Sequence, residues 1–278
     1  MFVRIAVGLV GVAILVPALI WGGHVAVDLL ALFALVVGLL EYGRMALGER
    51  PLRFVLAAQA AVLYVCVAYG SMELAGGVVI ALCVSSFLAA MAWSPGMEGA
   101  ADRVGRLLLG TIYVGGLLAF VPLVRRLDQG VGWIFVLLAT TWLGDTGAFF
   151  AGKFLGRHKM APRLSPKKTW EGFVGGFIAA AGGAVLFGWL TDLQVPWPWL
   201  LAVGAVVDIF GVLGDLAESL LKRAFGVKDS GTIMPGHGGM LDRVDSVMFA
   251  APVLYLLAWL IQGWLQPDRL LPFQALAN

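Results

Sequence analysis

Long apolar stretches alternate with short polar segments along the whole chain. Nine apolar windows, each about 20 residues long, cover residues 5–22, 26–42, 54–70, 75–93, 107–124, 131–151, 171–190, 198–221 and 246–265. A helix of about that length crosses a hydrocarbon core of about 30 Å. The pattern predicts an all-α fold, a polytopic integral membrane helix bundle with about nine transmembrane helices. The first two windows are joined by the short segment Gly22-Gly23-His24. They can therefore cross the membrane as two separate helices or form a re-entrant pair.

The composition supports a membrane protein with one domain. Hydrophobic residues make up 60% of the 278 residues and charged residues 13%, whereas about a quarter of a globular chain is charged. Cys66 and Cys83 both lie in apolar windows, so we expect neither a disulfide framework nor a cysteine metal cluster. No flexible linker interrupts the chain. We predict a single membrane domain over residues 1–278, with N-terminal spans in 1–130 and catalytic spans and cytoplasmic loops in 131–278.

Positive charge is concentrated on one side of the predicted bundle. With nine spans, 16 of the 19 Lys and Arg residues fall on the side of the N-terminus. They lie at Arg4 and in the segments 41–53, 94–106, 152–170 and 222–245. The other side holds only Arg125, Arg126 and Arg269. Because cytoplasmic loops carry the excess of Lys and Arg, the sequence predicts a cytoplasmic N-terminus and a C-terminus outside.

The eighth window carries a stripe of polar residues at helical spacing. This polar stripe consists of Asp208, Gly211, Asp215, Glu218, Ser219 and Lys222. Residues at such spacing share one face of a helix, and an ionised carboxylate in a bilayer is costly unless it faces water, a partner or a metal. The stripe therefore favours a hydrated cleft open to the cytoplasm. The alternative is ordinary helix packing with an i,i+4 ion pair between Glu218 and Lys222, which leaves Asp208 and Asp215 unexplained.

Two further carboxylates lie at the start of the ninth window. Asp242 and Asp245 are three residues apart, so both can point to one side of a first helical turn. Mg²⁺ binds through one or two carboxylates together with substrate phosphates, and Asp215 and Asp242 can supply such a pair. Asp245 has an alternative interpretation, because Asp followed by Ser246 at a helix start is also an ordinary N-cap.

The segment between these two windows combines glycines with cations. Its glycines are Gly226, Gly231, Gly236, Gly238 and Gly239, and the cations in and beside it are Lys222, Arg223, Lys228 and Arg243. Glycines let backbone N–H groups approach an anion closely. The combination predicts a phosphate-binding loop, although the Walker A pattern is absent. His237 is explained equally well as a donor to phosphate or as a residue that orders the loop.

A second basic loop precedes the seventh window. Six Lys and Arg residues lie in 153–168, and the run Ser165-Pro166-Lys167-Lys168-Thr169 leads directly to Glu171. Anionic lipid headgroups attract such segments, so a lipid-binding patch is one interpretation. The hydroxyl and cationic donors next to Glu171, with Asp145 upstream, favour a second anion-binding element beside the cleft.

These motifs resemble the signature of the phosphatidate cytidylyltransferase (CDP-diacylglycerol synthase) family. The resemblance rests on Ser219-x-x-Lys222-Arg223, Lys228-Asp229-x-Gly231 and Pro235-x-His237-Gly238-Gly239-x-x-Asp242-Arg243-x-Asp245. Residues 165–172 and Gly144-Asp145-x-Gly147 are also similar to bacterial members, whereas the N-terminal spans resemble the family only in hydropathy. Met234 stands where Ile, Leu or Phe is expected, a change that keeps the position apolar.

The resemblance implies an enzyme that joins CTP and phosphatidate into CDP-diacylglycerol and pyrophosphate. It implies a homodimer in the bacterial cytoplasmic (inner) membrane, with an active site that faces the cytoplasm, a Mg²⁺ site and room for K⁺ as a second ion. No nucleic acid is expected as a partner. The predicted catalytic residues are Asp215, Lys222, Arg223, Lys228, Asp229, His237, Asp242, Arg243 and Asp245. The predicted ligand-binding residues are Ser165, Lys167, Lys168, Thr169, Glu171, Ser219, Gly238 and Gly239, and the metal ligands Asp215, Asp242 and Asp245.

Two other functions are compatible with parts of the pattern. A CTP-dependent synthase for an ether-type phospholipid would use similar motifs. An ion or anion transporter would also carry intramembrane acids. Transport is disfavoured because the acids cluster at one membrane face and the opposite loops carry almost no polar residues arranged as a site.

Overall fold

The computed structural model describes residues 13–231 and 238–265. Residues 13–21 are helical. The helices that follow are α1 (Gly23–Ala46), α2 (Arg50–Tyr69), α3 (Met72–Trp93), α4 (Ala100–Gly110), α5 (Phe120–Arg126), α6 (Gly130–Phe154), α7 (Trp170–Leu190), α8 (Trp197–Ala224) and α9 (Leu241–Leu265). A π-helical segment, Thr111–Gly116, follows α4. The predicted all-α fold is confirmed.

Eight helical segments in the described part of the chain are long and apolar enough to cross a membrane. They are Gly23–Ala46, Arg50–Tyr69, Leu74–Trp93, Ala100–Arg126, Gly130–Phe154, Trp170–Leu190, Trp197–Ala224 and Leu241–Leu265. These segments correspond to the second to ninth apolar windows. Residues 5–12 of the first window lie outside the described residues, so a ninth span formed by this window stays a prediction, as does the orientation of the termini.

A short β-hairpin is the element that the sequence did not predict. Strands β1 (Lys159–Ala161) and β2 (Ser165–Thr169) pair antiparallel inside the basic loop. Thr169 then acts as the N-cap of α7, where its Oγ1 accepts a hydrogen bond from the Gly172 N–H at 3.1 Å. The hairpin therefore leads without a break into a transmembrane helix.

The chain divides into two compact units. Unit 1 contains Met1–Pro122 and Lys222–Val244, and unit 2 contains Leu123–Leu221 and Asp245–Asn278. Each unit combines two separate stretches of sequence, and the predicted single domain stays a prediction.

A buried amide holds three elements of unit 1 together. The Gln59 Nε2 of α2 donates to Ser85 Oγ at 2.7 Å and to Ser86 Oγ at 3.0 Å, both on α3. Its Oε1 accepts from Thr111 Oγ1 at 3.2 Å, where the π-helical segment begins. Buried polar groups need such partners, and here they link α2 and α3 to the centre of the next span.

Small residues set the packing in unit 2. A Cβ on Gly147 of α6 would lie 2.7 Å from the Gly175 carbonyl oxygen of α7, and a Cβ on Gly176 would lie 2.8 Å from the Gly144 carbonyl oxygen. Glycines at such positions let the backbones of two membrane helices approach closely. In this structure Gly175 and Gly176 therefore pack α7 against α6.

Candidate active site

Asp242 lies at the centre of a polar cluster in unit 1. Its Oδ1 is 2.5 Å from Lys222 Nζ, and the two side chains are 8% and 13% exposed, respectively. Its Oδ2 accepts from the Ser230 N–H at 2.9 Å, the Ser230 hydroxyl at 2.9 Å and the Gly239 N–H at 2.8 Å. Charged hydrogen bonds of this kind are the strong ones, so the carboxylate is held in one position by α8 and by the loop.

Helix α9 begins earlier than the sequence suggested. It starts at Leu241, four residues before Asp245. The N-cap interpretation of Asp245 is therefore wrong, since this residue lies inside the helix. Its Oδ1 accepts from the Ser246 N–H at 2.6 Å, and its role as a metal ligand stays a prediction.

The residue that does cap α9 comes from α1 and was missed in the sequence. Glu41 is 5% exposed and accepts from the Met240 N–H and the Leu241 N–H, each at 2.9 Å. It also lies 3.1 Å from Ser230 Oγ. An acid in an apolar window deserves a functional explanation by default, and that rule could have identified Glu41.

Two glycines of the loop meet specific backbone requirements. Gly238 has a φ of +81°, which side chains other than glycine rarely adopt. A Cβ on Gly239 would overlap Ser230 Oγ and Glu41 Oε2. The Gly239 N–H is directed at Asp242, and the phosphate-binding roles of Gly238 and Gly239 stay predictions.

The remaining cations in and beside the loop lie at the surface of unit 1. The carboxylate of Asp229 is exposed, and so are the cations Arg223, Lys228 and Arg243. Arg223 Nη1 donates to the Val227 carbonyl at 3.4 Å. Exposed donors of this kind are accessible to an anionic ligand. His237 lies outside the described residues, so its role stays a prediction.

In unit 2, the basic loop reaches the polar stripe of α8. Lys168 Nζ of β2 lies 2.8 Å from Asp215 Oδ2 and 3.5 Å from the Val212 carbonyl oxygen. Ser219 Oγ lies 3.4 Å from Asp215 Oδ1. The stripe is an interior face, since Asp208 and Glu218 are buried. The hairpin thus brings a cation to the acid that was predicted to bind a metal.

Other predicted ligand-binding residues fix the hairpin against α7. Glu171 accepts from the Arg157 N–H at 3.1 Å and the His158 N–H at 3.2 Å, and it lies 2.6 Å from His158 Nδ1. Ser165 pairs with Ala161 across the hairpin, and Lys167 is exposed. Glu171 and Thr169 therefore have structural roles, while binding by Ser165, Lys167, Thr169 and Glu171 stays predicted.

Comparison with known proteins assigns the chain to a family. The model of the cytidylyltransferase family matches residues 2–261. The chain belongs to the cytidylyltransferase family. The predicted resemblance is thereby confirmed, and the match includes the N-terminal spans, for which the sequence offered only hydropathy.

Alignments with individual members of the family cover about half of this chain. The phosphatidate cytidylyltransferase of Bacillus subtilis is 46% identical over 157 residues, which cover 56% of this chain and 58% of that relative. That of Staphylococcus saprophyticus is 44% identical over 150 residues, 54% of this chain and 57% of the relative. The Staphylococcus aureus protein is 43% identical over the same shares. The chain thus covers less than two thirds of the length of these relatives.

Aspartate carboxylates of this family member are the kind of oxygen donor that a hard divalent cation takes. Within residues 13–231 and 238–265, no group of three or more His, Cys, Asp or Glu side chains is arranged to hold a metal ion. Mg²⁺ does not need such a group, because it takes one or two carboxylates and completes its shell with water and substrate phosphates. Asp215 and Asp242 offer carboxylates of that kind.

Proposed function

We propose that this cytidylyltransferase transfers the CMP moiety of CTP to phosphatidate and releases pyrophosphate. The family match over residues 2–261 carries the proposal, and relatives named phosphatidate cytidylyltransferase support the choice of lipid. The cluster around Asp242 lies in the segment that bears the family signature. The product is CDP-diacylglycerol, a precursor for phospholipid synthesis.

The reaction needs charge neutralisation and alignment rather than a protein nucleophile. An oxygen of the lipid phosphate attacks the α-phosphorus of CTP, and the bond to the bridging oxygen of the β-phosphate breaks as pyrophosphate leaves. Lysine and arginine side chains stabilise the charge that develops on the leaving group. Lys168, Lys222 and the exposed Arg223, Lys228 and Arg243 are the candidates for this role. Ser219 binds ligand in this mechanism and forms no ester.

A metal ion is part of the proposal. Bound Mg²⁺ would polarise phosphate oxygens and offset their charge, with Asp215 and Asp242 as ligands, Asp245 as a third candidate and K⁺ as a second ion. The carboxylates contribute fixed oxygen donors, and the lysines next to them contribute cations that can turn toward substrate phosphates. Asp229, His237 and the two loop glycines complete the proposed set.

The charge distribution supports a reaction at the cytoplasmic face of a membrane. Eight segments suited to cross a membrane make this an integral membrane protein. We propose that it resides in the bacterial inner membrane as a homodimer, and that the basic loops face the cytoplasm, where CTP is available. Phosphatidate would keep its acyl chains in the bilayer while its headgroup enters from the side.

The proposal is tested by the release of pyrophosphate from purified protein in lipid nanodiscs. We expect release that requires CTP, phosphatidate and Mg²⁺ together, with CDP-diacylglycerol identified by mass spectrometry. A lipid phosphate with ether-linked chains distinguishes the related synthase, since that enzyme would favour it. No release with any divalent cation and either lipid would contradict the proposal, and ion flux into liposomes without nucleotide turnover would indicate a transporter.

A further inference from the structure

Consecutive residues of α1 contact both described ends of the loop that joins α8 to α9. The ring of Tyr42, which is fully buried, packs edge-on against Phe225 at 6.2 Å between centroids. The Arg106 guanidinium lies 5.2 Å from the centre of the same Phe225 ring. At the other end, Glu41 contacts the backbone of Met240 and Leu241. Helix α1 is therefore the support on which this loop begins and ends within unit 1.

Glu41 completes the hydrogen bonding of the first turn of α9. The first N–H groups of a helix have no partner inside the helix and must find one elsewhere. Glu41 accepts those of Met240 and Leu241. The Asp242 N–H lies 3.4 Å from Ser230 Oγ, and the Arg243 N–H donates to the Met240 carbonyl at 2.9 Å. Without Glu41, two buried donors at the start of the helix that carries Asp242 would lose their acceptor.

Ser230 links Glu41 to Asp242. Its Oγ is 3.1 Å from Glu41 Oε2 and 2.9 Å from Asp242 Oδ2. A hydroxyl has a single hydrogen to donate, so the two carboxylates compete for it. We therefore expect a change at Glu41 to alter the hydrogen bond that Ser230 makes to Asp242.

The glycines of the loop make room for the Glu41 carboxylate. A Cβ on Gly231 or on Gly239 would overlap the carboxylate oxygens of Glu41. Both positions belong to the family signature in the sequence. The close approach of α1 thus gives these two glycines a reason that is independent of any bound phosphate.

We propose that Glu41 is a positioning residue, which holds Ser230 and the first turn of α9 so that Asp242 keeps the orientation needed for nucleotidyl transfer. The inference rests on the proposed function only for its expected effect on kcat. Its structural part, the ordering of residues 229–231 and 238–242 by an acid of α1, stands on the contacts within unit 1. Glu41 acts through the loop, whereas Asp242 is the proposed catalytic carboxylate.

The first test is Glu41→Gln, which keeps the shape of the side chain. The amide presents two N–H donors and one acceptor to neighbours that are themselves donors. We expect kcat to fall by about 10–100-fold, as for a misplacement of about 1 Å, with KM for CTP within about threefold of wild type. Hydrogen exchange should accelerate at Ser230, Gly239 and Leu241 and stay unchanged in α2 and α3.

Glu49→Gln is the matched control. Glu49 is an acid of the same unit whose Oε1 pairs with Arg103 Nε at 3.2 Å at a partly exposed site. Since partly exposed pairs contribute little, this variant should keep the activity and the loop exchange of wild type. Wild-type kcat in Glu41→Gln, or exchange that accelerates evenly through unit 1, would overturn the inference.

Ser230→Ala provides a second test should Glu41→Gln fold poorly. It removes only the bridging hydroxyl and is expected to lower kcat by about 3–10-fold, because one net hydrogen bond is worth about 1 kcal/mol. In the double variant the losses should be less than additive, since both changes act on one hydrogen bond. Additive losses of kcat in the double variant would overturn the inference. So would an unchanged rate of amide hydrogen exchange at Asp242 in Ser230→Ala. Hydrogen exchange needs no substrate, so the structural result stands even if wild type releases no pyrophosphate.

Discussion

Asp242 and Asp215 are each paired with a lysine, but their surroundings differ. Asp242 receives Lys222 and three donors from the loop. Asp215 contacts Lys168 at 2.8 Å and lies 3.4 Å from the Ser219 hydroxyl. Backbone N–H groups of Ser230 and Gly239 thus help to fix the orientation of Asp242, whereas the contacts of Asp215 within the described residues come from the side chains of Lys168 and Ser219. A change at Asp242 should therefore affect structure and chemistry together, and a change at Asp215 should affect chemistry.

The largest expected effect is on turnover. Asp242→Asn and Asp215→Asn should each lower kcat by at least about 10²–10³-fold, the usual cost of removing one preorganised electrostatic group. Initial rates of pyrophosphate release at saturating CTP and phosphatidate measure this. If either variant kept full activity, that carboxylate would not be a ligand of the proposed metal.

The second prediction distinguishes Asp242 from Asp215 by how much the loss of each carboxylate lowers the stability of the protein. Removing one partner of a buried ion pair costs about 3–5 kcal/mol, and Asp242→Asn does this to Lys222, whose side chain is 13% exposed. The Lys168–Asp215 pair is more exposed, and its loss should cost about 1 kcal/mol or less. Thermal unfolding in detergent should show a clearly lower midpoint for Asp242→Asn. Equal unfolding midpoints for Asp242→Asn and Asp215→Asn would contradict the expected difference in stability between the two sites.

A third effect concerns the hairpin that carries Lys168. Thr169→Ala removes the N-cap of α7 and should destabilise the protein by about 1 kcal/mol, whereas Thr169→Ser keeps the hydroxyl and should be close to wild type. Thermal midpoints of the two variants measure the difference. A higher KM for CTP in Thr169→Ala, without loss of stability, would instead indicate the predicted role in ligand binding.

The smallest effect is expected at an exposed cation. Lys167 lies on β2 next to Lys168 but faces outward. If it attracts the CTP phosphates, Lys167→Gln should raise KM about threefold at low salt and leave kcat unchanged, a pattern typical of lost uniform binding. The difference should shrink at high salt, because exposed charges are screened. A KM for CTP that is identical to wild type at low salt would show that Lys167 does not attract the CTP phosphates.

Much of the fold was predictable from the sequence because apolar length and helical spacing are local properties. The second to ninth windows each lie in a helical segment long enough to span a membrane, and the stripe on α8 became an interior face. The start of α9 was misplaced because its cap is 199 residues away from Met240. The hairpin was missed because its strands are three and five residues long and rich in charge.

The site was predictable as a set of residue types, but the partners of those residues were not. The sequence identified Asp215, Asp242 and the cations around them. It did not show that Lys168 faces Asp215 or that Lys222 faces Asp242, because such pairings depend on tertiary packing. Glu41 could have been noticed as an acid in an apolar window, but its partners could not, because Ser230 and Met240 lie 189 and 199 residues away in the chain.

The distance along the chain between Glu41 and its partners has a consequence for biogenesis. At about 5–20 residues per second, the ribosome needs about 10–40 s to progress from Glu41 to Leu241, 200 residues later. During that interval α1 carries an acid whose backbone N–H donors, those of Met240 and Leu241, do not yet exist, and an unpartnered charge in a bilayer is costly. A chain truncated before α9 would therefore lack these contacts and leave Glu41 without the N–H groups of Met240 and Leu241.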